Sequence, residues 1–566
     1  MKIRRKNIGD KQVMPFTIPS GIITTQVSTI KRFLKIIPEL GIITTKTITL
    51  EKCEGNREPI LAKIYLNYDT PDLHLGFINA VGLENPGVDK FIEMIKSVSI
   101  PNNKFLLVSI AGRNKEEFVE IAKSLEEYVD GIELNLSCPT KKGFGKELIK
   151  NDLKEKNFIV YEITKHVAKN FRKPIFVKLG YERIEYFAEQ AIKAGAYGIS
   201  AINTIGNYVE EIDGYPILSN KYGGISGNII KHLALEAIYK IRIKLGNNFK
   251  IIGMGGISNA SDIISFERAG ADFFGIGSAL EGLKESEIRK YFSLLVFDLE
   301  NGKNYAESLL KNVDMRYRKA KIVEKIKASK DLVLLSFDIS IHAKPGQFVF
   351  LWIPDVGEKP FSVVDNEPLK LAILKRGLVT TKIVEDLEVG DEVYIRGPYG
   401  SYIDLKEIDI SKEATIVAGG VGIAGIYLLA KELSKNSINL TLLLGARDKD
   451  HLILLEKLKE FGDVFVATED GSIGYKGLIT QLFDEIKSCI RKGCYFFNCG
   501  KKEMIEALLP KELEISPKER IYLSFDHITR CGIGICGRCA NEKGLRTCVE
   551  GPFMKMIDEY ENYRID

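Results

Sequence analysis

At 566 residues the chain exceeds what one hydrophobic core can organise, and three or four domains are expected. Lys and Arg number 80 against 76 Asp and Glu, a net charge of +4 that excludes a general electrostatic drive toward nucleic acid or anionic membrane. With 45% hydrophobic and 28% charged residues it reads as a soluble globular protein, and no apolar run reaches the ~18 residues of a membrane span.

The opening MKIRRKNIGDKQVMPFTIPSG is basic but carries no apolar core, which predicts a cytoplasmic address. Abundant Lys, Ile and Glu fit a thermophile or an AT-rich genome equally. From residue 20 to 280 short apolar runs alternate with helical patterns. Strands are expected at 21–25 (GIITT), 41–46, 105–112, 131–139, 175–180, 197–204, 250–256 and 272–278. Segments such as 115–129 and 185–195 carry apolar residues at helical spacing. Eight strands in about 250 residues, each followed by a helix, predict an α/β TIM barrel, (β/α)8, with a doubly wound open sheet as the alternative. The extra run FINAVG (77–82) reads as an insertion above the barrel mouth.

Barrel chemistry sits where strands end. Those ends carry Lys46, Asn135, Ser137, Cys138, Lys178, Asn203, Thr204, Gly255, Gly256, Gly277 and Ser278. GMGGIS (253–258) and GIGSAL (275–280) follow strands seven and eight, where glycine lets backbone amides approach a phosphate. Lys46 and Lys178 have apolar flanks, and a buried lysine needs an anionic or electron-rich partner such as a reduced flavin or a substrate carboxylate. From its position alone, Cys138 is as readily an inert buried thiol as a reactive one.

The charged stretch 311–330 separates two halves. Beyond it, short β-like runs predict a small antiparallel barrel at 316–408. ATIVAGGVGIAGIYLLAKEL (414–433) then reads as strand, glycine-rich turn and helix, a layout for a pyrophosphate, although its glycines do not match G-x-G-x-x-G. Strands at 440–447, 463–471 and 494–500 continue an α/β domain. Near the C-terminus Cys531, Cys536 and Cys539 have C-x4-C-x2-C spacing and Cys548 follows, the plant-type arrangement for a [2Fe–2S] cluster. A zinc site favours paired C-x2-C units, of which only one is present. The other five cysteines are scattered, as expected of reduced intracellular thiols.

ELNLSCP, FINAVGLENPGVDKF, TTKTITLEKCEGN, FVKLG, INT, GGISG, GMGGIS and GIGSAL together resemble the class 1 dihydroorotate dehydrogenases over residues 10–285. That resemblance implies Cys138 as catalytic base and Lys178 as the electrostatic stabiliser of the anionic reduced flavin. It implies FMN on Ser20, Lys46, Thr47, Asn135, Lys178, Ile202, Gly227, Gly255, Gly256, Gly277 and Ser278. The dihydropyrimidine would be held by Lys46, Asn79, Ala80, Val81, Gly82, Leu83, Asn135, Asn203 and Thr204. Thr140 departs from the family's asparagine, replacing a two-sided amide with one hydroxyl.

The second half, 316–555, is similar to the electron-transfer subunit of class 1B enzymes, within the ferredoxin-reductase superfamily, on KPFSV, ATEDGSIGYKG, CGIGICGRC and TCVEGPF. By that similarity Lys359, Pro360, Phe361, Ser362 and Thr380 would cradle FAD, and 419–425 with Cys499–Gly500 would face NAD. Lys359 stands where arginine is usual, Gly425 and Lys501 where proline is, and Val379 where glycine is often found. The domains implied are 1–312 (FMN barrel), 313–408 (FAD), 409–515 (NAD) and 516–566 (cluster). The function implied is oxidation of (S)-dihydroorotate to orotate in pyrimidine synthesis, electrons passing FMN, [2Fe–2S], FAD and NAD+ in that order, in a homodimer formed through the barrel. The alternatives are another dihydropyrimidine as substrate, ferredoxin or quinone as acceptor, and a Schiff-base role for Lys178.

Overall fold

Apolar alternation in the first half resolves into eight parallel strands that close on themselves. In the computed structural model, which describes residues 3–68, 70, 74–137, 144, 158–409 and 411–556, they are Phe16–Ile18, Leu40–Thr44, Phe105–Ile110, Gly131–Asn135, Ile175–Leu179, Gly198–Ala201, Lys250–Met254 and Phe273–Gly275. The sheet closes as Phe273–Gly275 pairs in parallel with Phe16–Ile18. This is the expected TIM barrel, with one correction to its first strand. GIITT at 21–25 is not a strand; the barrel opens instead with Phe16–Ile18, held between Pro15 and Pro19. Ile23, at the centre of GIITT, takes a left-handed φ of 56° that no extended strand allows.

Side chains alternate across each strand, so every second residue faces the interior. Ile42, Leu107, Phe176, Ile252, Met254 and Phe273 fill it together with Ile8 and Val13 from the hairpin Lys6–Ile8 and Lys11–Val13. Helices cover the outside. In Lys115–Leu125 the Asn114 side chain caps Glu117 N, and Phe118, Ile121, Ala122 and Leu125 bury one face. FINAVG lies partly on the strand His74–Asn79 of an accessory sheet ordered 205–208, 223–226, 74–79, 61–65.

The chain divides into two compact units: up to Val313 together with Ile533–Gly544, and Asp314–Gly532 together with the chain from Leu545. In the second unit six antiparallel strands between Arg318 and Tyr399 form a closed barrel over Val333, Leu335, Val349, Leu351, Leu371 and Ile395. A seven-stranded sheet follows, ordered 475–476, 463–468, 440–446, 414–419, 495–500, 521–525, 554–555, parallel except for the last pair. Ile521–Phe525 belongs to this sheet, beyond the boundary expected at 515. Strand order reverses at Ala414–Gly419, which has Leu440–Ala446 on one side and Tyr495–Gly500 on the other. Such a switch point opens a crevice at the strands' carboxyl ends. Among the described residues no helix is long and apolar enough to cross a membrane.

Candidate functional site

The barrel mouth holds a cavity of about 1310 Å³, its solvent-filled opening included. Strand ends and the loops beyond them supply its walls. Lys46 and Thr47 follow the second strand, Asn135 ends the fourth, Lys178 lies on the fifth, and Ile202, Asn203 and Thr204 follow the sixth. Gly255, Gly256, Gly277 and Ser278 follow the seventh and eighth, with Ser20 and Gly227 beside them. Asn79, Val81, Gly82 and Leu83 face the same space; Ala80 is buried behind it. Cys138 and Thr140 lie outside the described residues.

Thr47 is the hub of the polar wall. Its Oγ1 accepts from Asn135 Nδ2 at 3.0 Å and pairs with Ser20 Oγ at 3.1 Å and Ser109 Oγ at 3.0 Å. Asn203 Nδ2 donates to Ser137 Oγ at 3.0 Å, and Ser137 donates onward to the Lys178 carbonyl at 3.0 Å. Asn203 Oδ1 accepts from Thr204 N at 2.9 Å, so the amide's orientation is fixed from both ends. Lys46 and Lys178 are only 7% and 4% exposed, so neither is a solvated surface charge.

One glycine of this wall has no room for a side chain. Gly256 has φ of 88°, and a Cβ there would stand 3.0 Å from the Gly227 carbonyl oxygen and 2.8 Å from Lys231 Cβ. Gly255, Gly256, Gly277 and Ser278 thus bring the backbone after strands seven and eight to the cavity wall, a fit for a flavin phosphate. The lysines, the amide wall and the glycine cradle suit FMN in their chemistry.

Further supports of the cavity come from residues to which spacing assigns no role in it. Asn56 Nδ2 donates to the Ala80 carbonyl at 3.0 Å and Cys53 Sγ to the Gly82 carbonyl at 3.4 Å, holding loop 80–83 from behind. Ile535 and Cys536, from the cysteine-rich segment, also line the cavity. Ile23 N donates to the Ile535 carbonyl and Thr25 Oγ1 to the Cys536 carbonyl, both at 2.7 Å. A glycine with an αL-type φ beside each contact, Gly534 and Gly537, was the available signal.

In the second unit Lys359, Pro360, Phe361 and Ser362 lie on the strand Gly357–Asn366, partly or fully exposed. Thr380 Oγ1 accepts from Arg376 N at 2.8 Å and Gly377 N at 3.0 Å, shaping the turn into the helix Leu378–Thr381. A Cβ at Gly425 would stand 3.1 Å from Cys499 Sγ and 3.4 Å from Ser362 Oγ. The expected FAD strand and the expected NAD crevice therefore converge at Gly425, where a bulkier residue would intrude. Burial pushes the Cys499 thiol up to about 12, with a side-chain hydrogen bond from Ser524 opposing it, so it is a neutral wall rather than a nucleophile. Beneath the strand, Arg396 grips Glu358 at 2.6 and 2.7 Å and donates to the Cys531 carbonyl at 3.1 Å.

Cys531, Cys536, Cys539 and Cys548 are all buried and none is in a disulfide. Among the described residues no three His, Cys, Asp or Glu side chains surround a point that could hold a single metal ion. A [2Fe–2S] core asks two thiolates of each iron. Gly532, Gly534 and Gly537 all have φ between 64° and 83°, a left-handed conformation that glycine adopts without strain.

The family model described as dihydroorotate dehydrogenase matches residues 4–289. The dihydroorotate dehydrogenase B (NAD(+)) catalytic subunit of Methanocaldococcus jannaschii is 38% identical over 275 residues, 47% of this chain and 83% of that protein. The probable electron transfer subunit of the same organism's enzyme is 34% identical over 254 residues, 44% of this chain and 94% of that subunit. A catalytic subunit from Caldicellulosiruptor saccharolyticus is 41% identical over 245 residues, 43% of this chain and 76% of the relative.

Proposed function

The chain belongs to the dihydroorotate dehydrogenase family, and we propose that it unites a catalytic half and an electron-transfer half in one polypeptide that oxidises (S)-dihydroorotate to orotate and reduces NAD+. One observation carries this reading. Lys46, Asn135, Lys178, the Gly255–Gly256 turn and Gly277–Ser278 line a single cavity whose wall also includes Cys536. When bound, FMN supplies a hydride acceptor, the [2Fe–2S] cluster a one-electron relay and FAD a two-electron donor to NAD+.

Each remaining task falls to side chains. Asn79, Asn135, Asn203 and Thr204 present amide and hydroxyl groups to the pyrimidine's imide edge, and Lys46 faces its carboxylate. The network through Thr47 and Ser137 fixes the Asn135 and Asn203 amides before substrate arrives, which is preorganisation rather than induced order. Cys138 takes the proton from C5 of the substrate. A free thiol titrates near 8.5, so turnover rises toward alkaline pH. Lys178, buried at the barrel mouth, would place a positive charge beside a bound flavin and so favour its reduced, anionic form. Gly277–Ser278 and Gly255–Gly256 would hold the flavin phosphate, Lys359–Ser362 and Thr380 the FAD, and Cys531, Cys536, Cys539 and Cys548 the cluster. A cytoplasmic homodimer formed through the barrel belongs to the same reading.

Anaerobic titration of the purified protein with dihydroorotate, followed by NAD+, tests it. Bleaching of flavin and iron–sulfur absorbance with NADH appearing at the second addition is the expected result. Bleaching without NADH would move the acceptor to ferredoxin or quinone. No bleaching in protein loaded with both flavins would overturn the substrate.

A further inference from the structure

A buried charge pair that the reaction as described does not use fastens the accessory sheet to the turn beyond the eighth barrel strand. Lys63 lies on the strand Leu61–Tyr65, in register with Phe77 on His74–Asn79. Its Nζ donates to Glu281 Oε1 at 3.0 Å and stands 2.9 Å from Oε2. It also donates to Asn312 Oδ1 at 2.6 Å and lies 5.5 Å from the centre of the Phe77 ring. The Lys63 side chain is 0% exposed and that of Glu281 4%, so water does not screen the pair. His74 Nε2 approaches Glu281 Oε1 at 3.7 Å, but burial, with Lys63 adding to it, pushes that imidazole down to about 4. His74 is therefore neutral near pH 7, and Lys63 is the cation that faces Glu281.

Neither partner lines the cavity, yet each belongs to an element that does. Leu61 and Phe77, beside Lys63 in the sheet, form part of its wall. Glu281 ends the turn 277–281, in which Leu280 N donates to the Gly277 carbonyl at 3.0 Å and Glu281 N to the Ser278 carbonyl at 3.2 Å. Gly277 and Ser278 form the wall on that side. Sheet and turn also meet through Gly227, where a Cβ would stand 3.1 Å from Gly76 Cα and 3.7 Å from Ser278 Oγ. The two elements lie 218 residues apart in sequence, and the buried pair ties them across the mouth.

We propose that Lys63 and Glu281 form a latch that retains FMN: they hold the accessory sheet against the turn at Gly277–Ser278, so the flavin leaves the cavity only when the sheet lifts. The inference rests on the reading that the cavity binds FMN. Both are positioning residues, acting on the flavin through the elements they join.

The test measures FMN release from the full-length holoprotein after dilution, with FMN separated from FAD by chromatography. Burial pushes the Glu281 carboxyl up to about 7 against the pull of Lys63, so the measurement is made above that pH, where the pair is ionised. Lys63→Met removes the cation at similar volume and should release FMN roughly tenfold faster. Adding Glu281→Gln leaves no unmatched buried charge. The double variant should therefore be more stable than K63M, yet still release FMN roughly tenfold faster than the parent. Val13→Ala, in the barrel interior, controls for stability: it should unfold at a lower temperature and release FMN at the parental rate. Parental release from a folded latch variant overturns the proposal. So does faster release from V13A, since retention would then follow overall stability. Should neither latch variant fold, Glu281→Gln alone decides, because it keeps an acceptor for Lys63 Nζ while weakening the bond: faster release is expected, and parental release overturns the latch. Failure of the FMN reading looks different, because the parent protein would then hold no FMN to release.

Discussion

Thr47 shows how much of a flavin site rests on one hydroxyl. Three polar groups, on Ser20, Ser109 and Asn135, converge on its Oγ1. Thr47→Val keeps the volume and leaves Asn135 Nδ2 in a buried setting with no acceptor, at about 1–3 kcal/mol. Steady-state assays should show kcat/KM for dihydroorotate falling roughly 5- to 100-fold while FMN content holds. A second residue bears on stability alone. Glu512 is fully buried and accepts from Asn498 Nδ2 on Oε2 at 2.9 Å, while Glu512 Oε1 and Asn498 Oδ1 are each buried without a partner among the described residues. A proton on Glu512 would serve both orphans, and burial indeed pushes its carboxyl from about 4.5 up to about 8. The folded state therefore binds this proton more tightly than the unfolded chain does. The associated stability is full below pH 4.5 and is lost as pH rises through 8. Glu512→Gln carries its own N–H donor and should escape that loss, gaining on the order of 2–4 kcal/mol at pH 9 over the parent. Thermal unfolding across pH checks this: parallel profiles for the two proteins would refute it.

At the level of elements, the segment 533–544 departs furthest from what spacing suggests. Cysteine spacing identifies a cluster loop but carries no information about which body the loop packs on. Here the loop joins the barrel unit, through Gly282 N to the Ile533 carbonyl, Ser28 Oγ to the Asn541 carbonyl and Arg538 to Glu84. Its receptor is the GIITT stretch, which reads as a strand because it is apolar and β-branched, yet must turn at Ile23 to offer its N–H to Ile535. Tertiary demand overrides propensity there. The other barrel strands were legible because a buried parallel strand is a continuous apolar run bounded by glycine or proline. The buried pair of Lys63 and Glu281 at 2.9 Å was not, since its partners are 218 residues apart. Gly537 tests the docking. Its φ is 64°, and a Cβ would collide with the Ile23 carbonyl oxygen. Gly537→Ala should lose most of the iron–sulfur absorbance and NAD+ reduction, while dihydroorotate still bleaches FMN at the parental rate. Parental iron content in this variant would show that the contact does not shape the loop.

For the whole molecule, the consequence lies in covalent linkage. In Methanocaldococcus jannaschii the catalytic and electron transfer subunits are separate matches, whereas this one chain matches both. Two proteins that must meet to pass electrons depend on concentration, since their complex dissociates on dilution. Tethered partners instead see each other at an effective concentration of around millimolar, whatever the bulk value. The turnover of each chain with dihydroorotate and NAD+ should therefore stay constant over about a thousandfold dilution into the nanomolar range. The control is FMN reduction alone, which needs only the barrel unit and should be constant in any arrangement. A fall in NAD+ reduction with dilution, beside constant FMN reduction, would mean that electrons pass between chains. In that case a tether alone does not complete the relay, and the second copy of the chain is part of the catalyst.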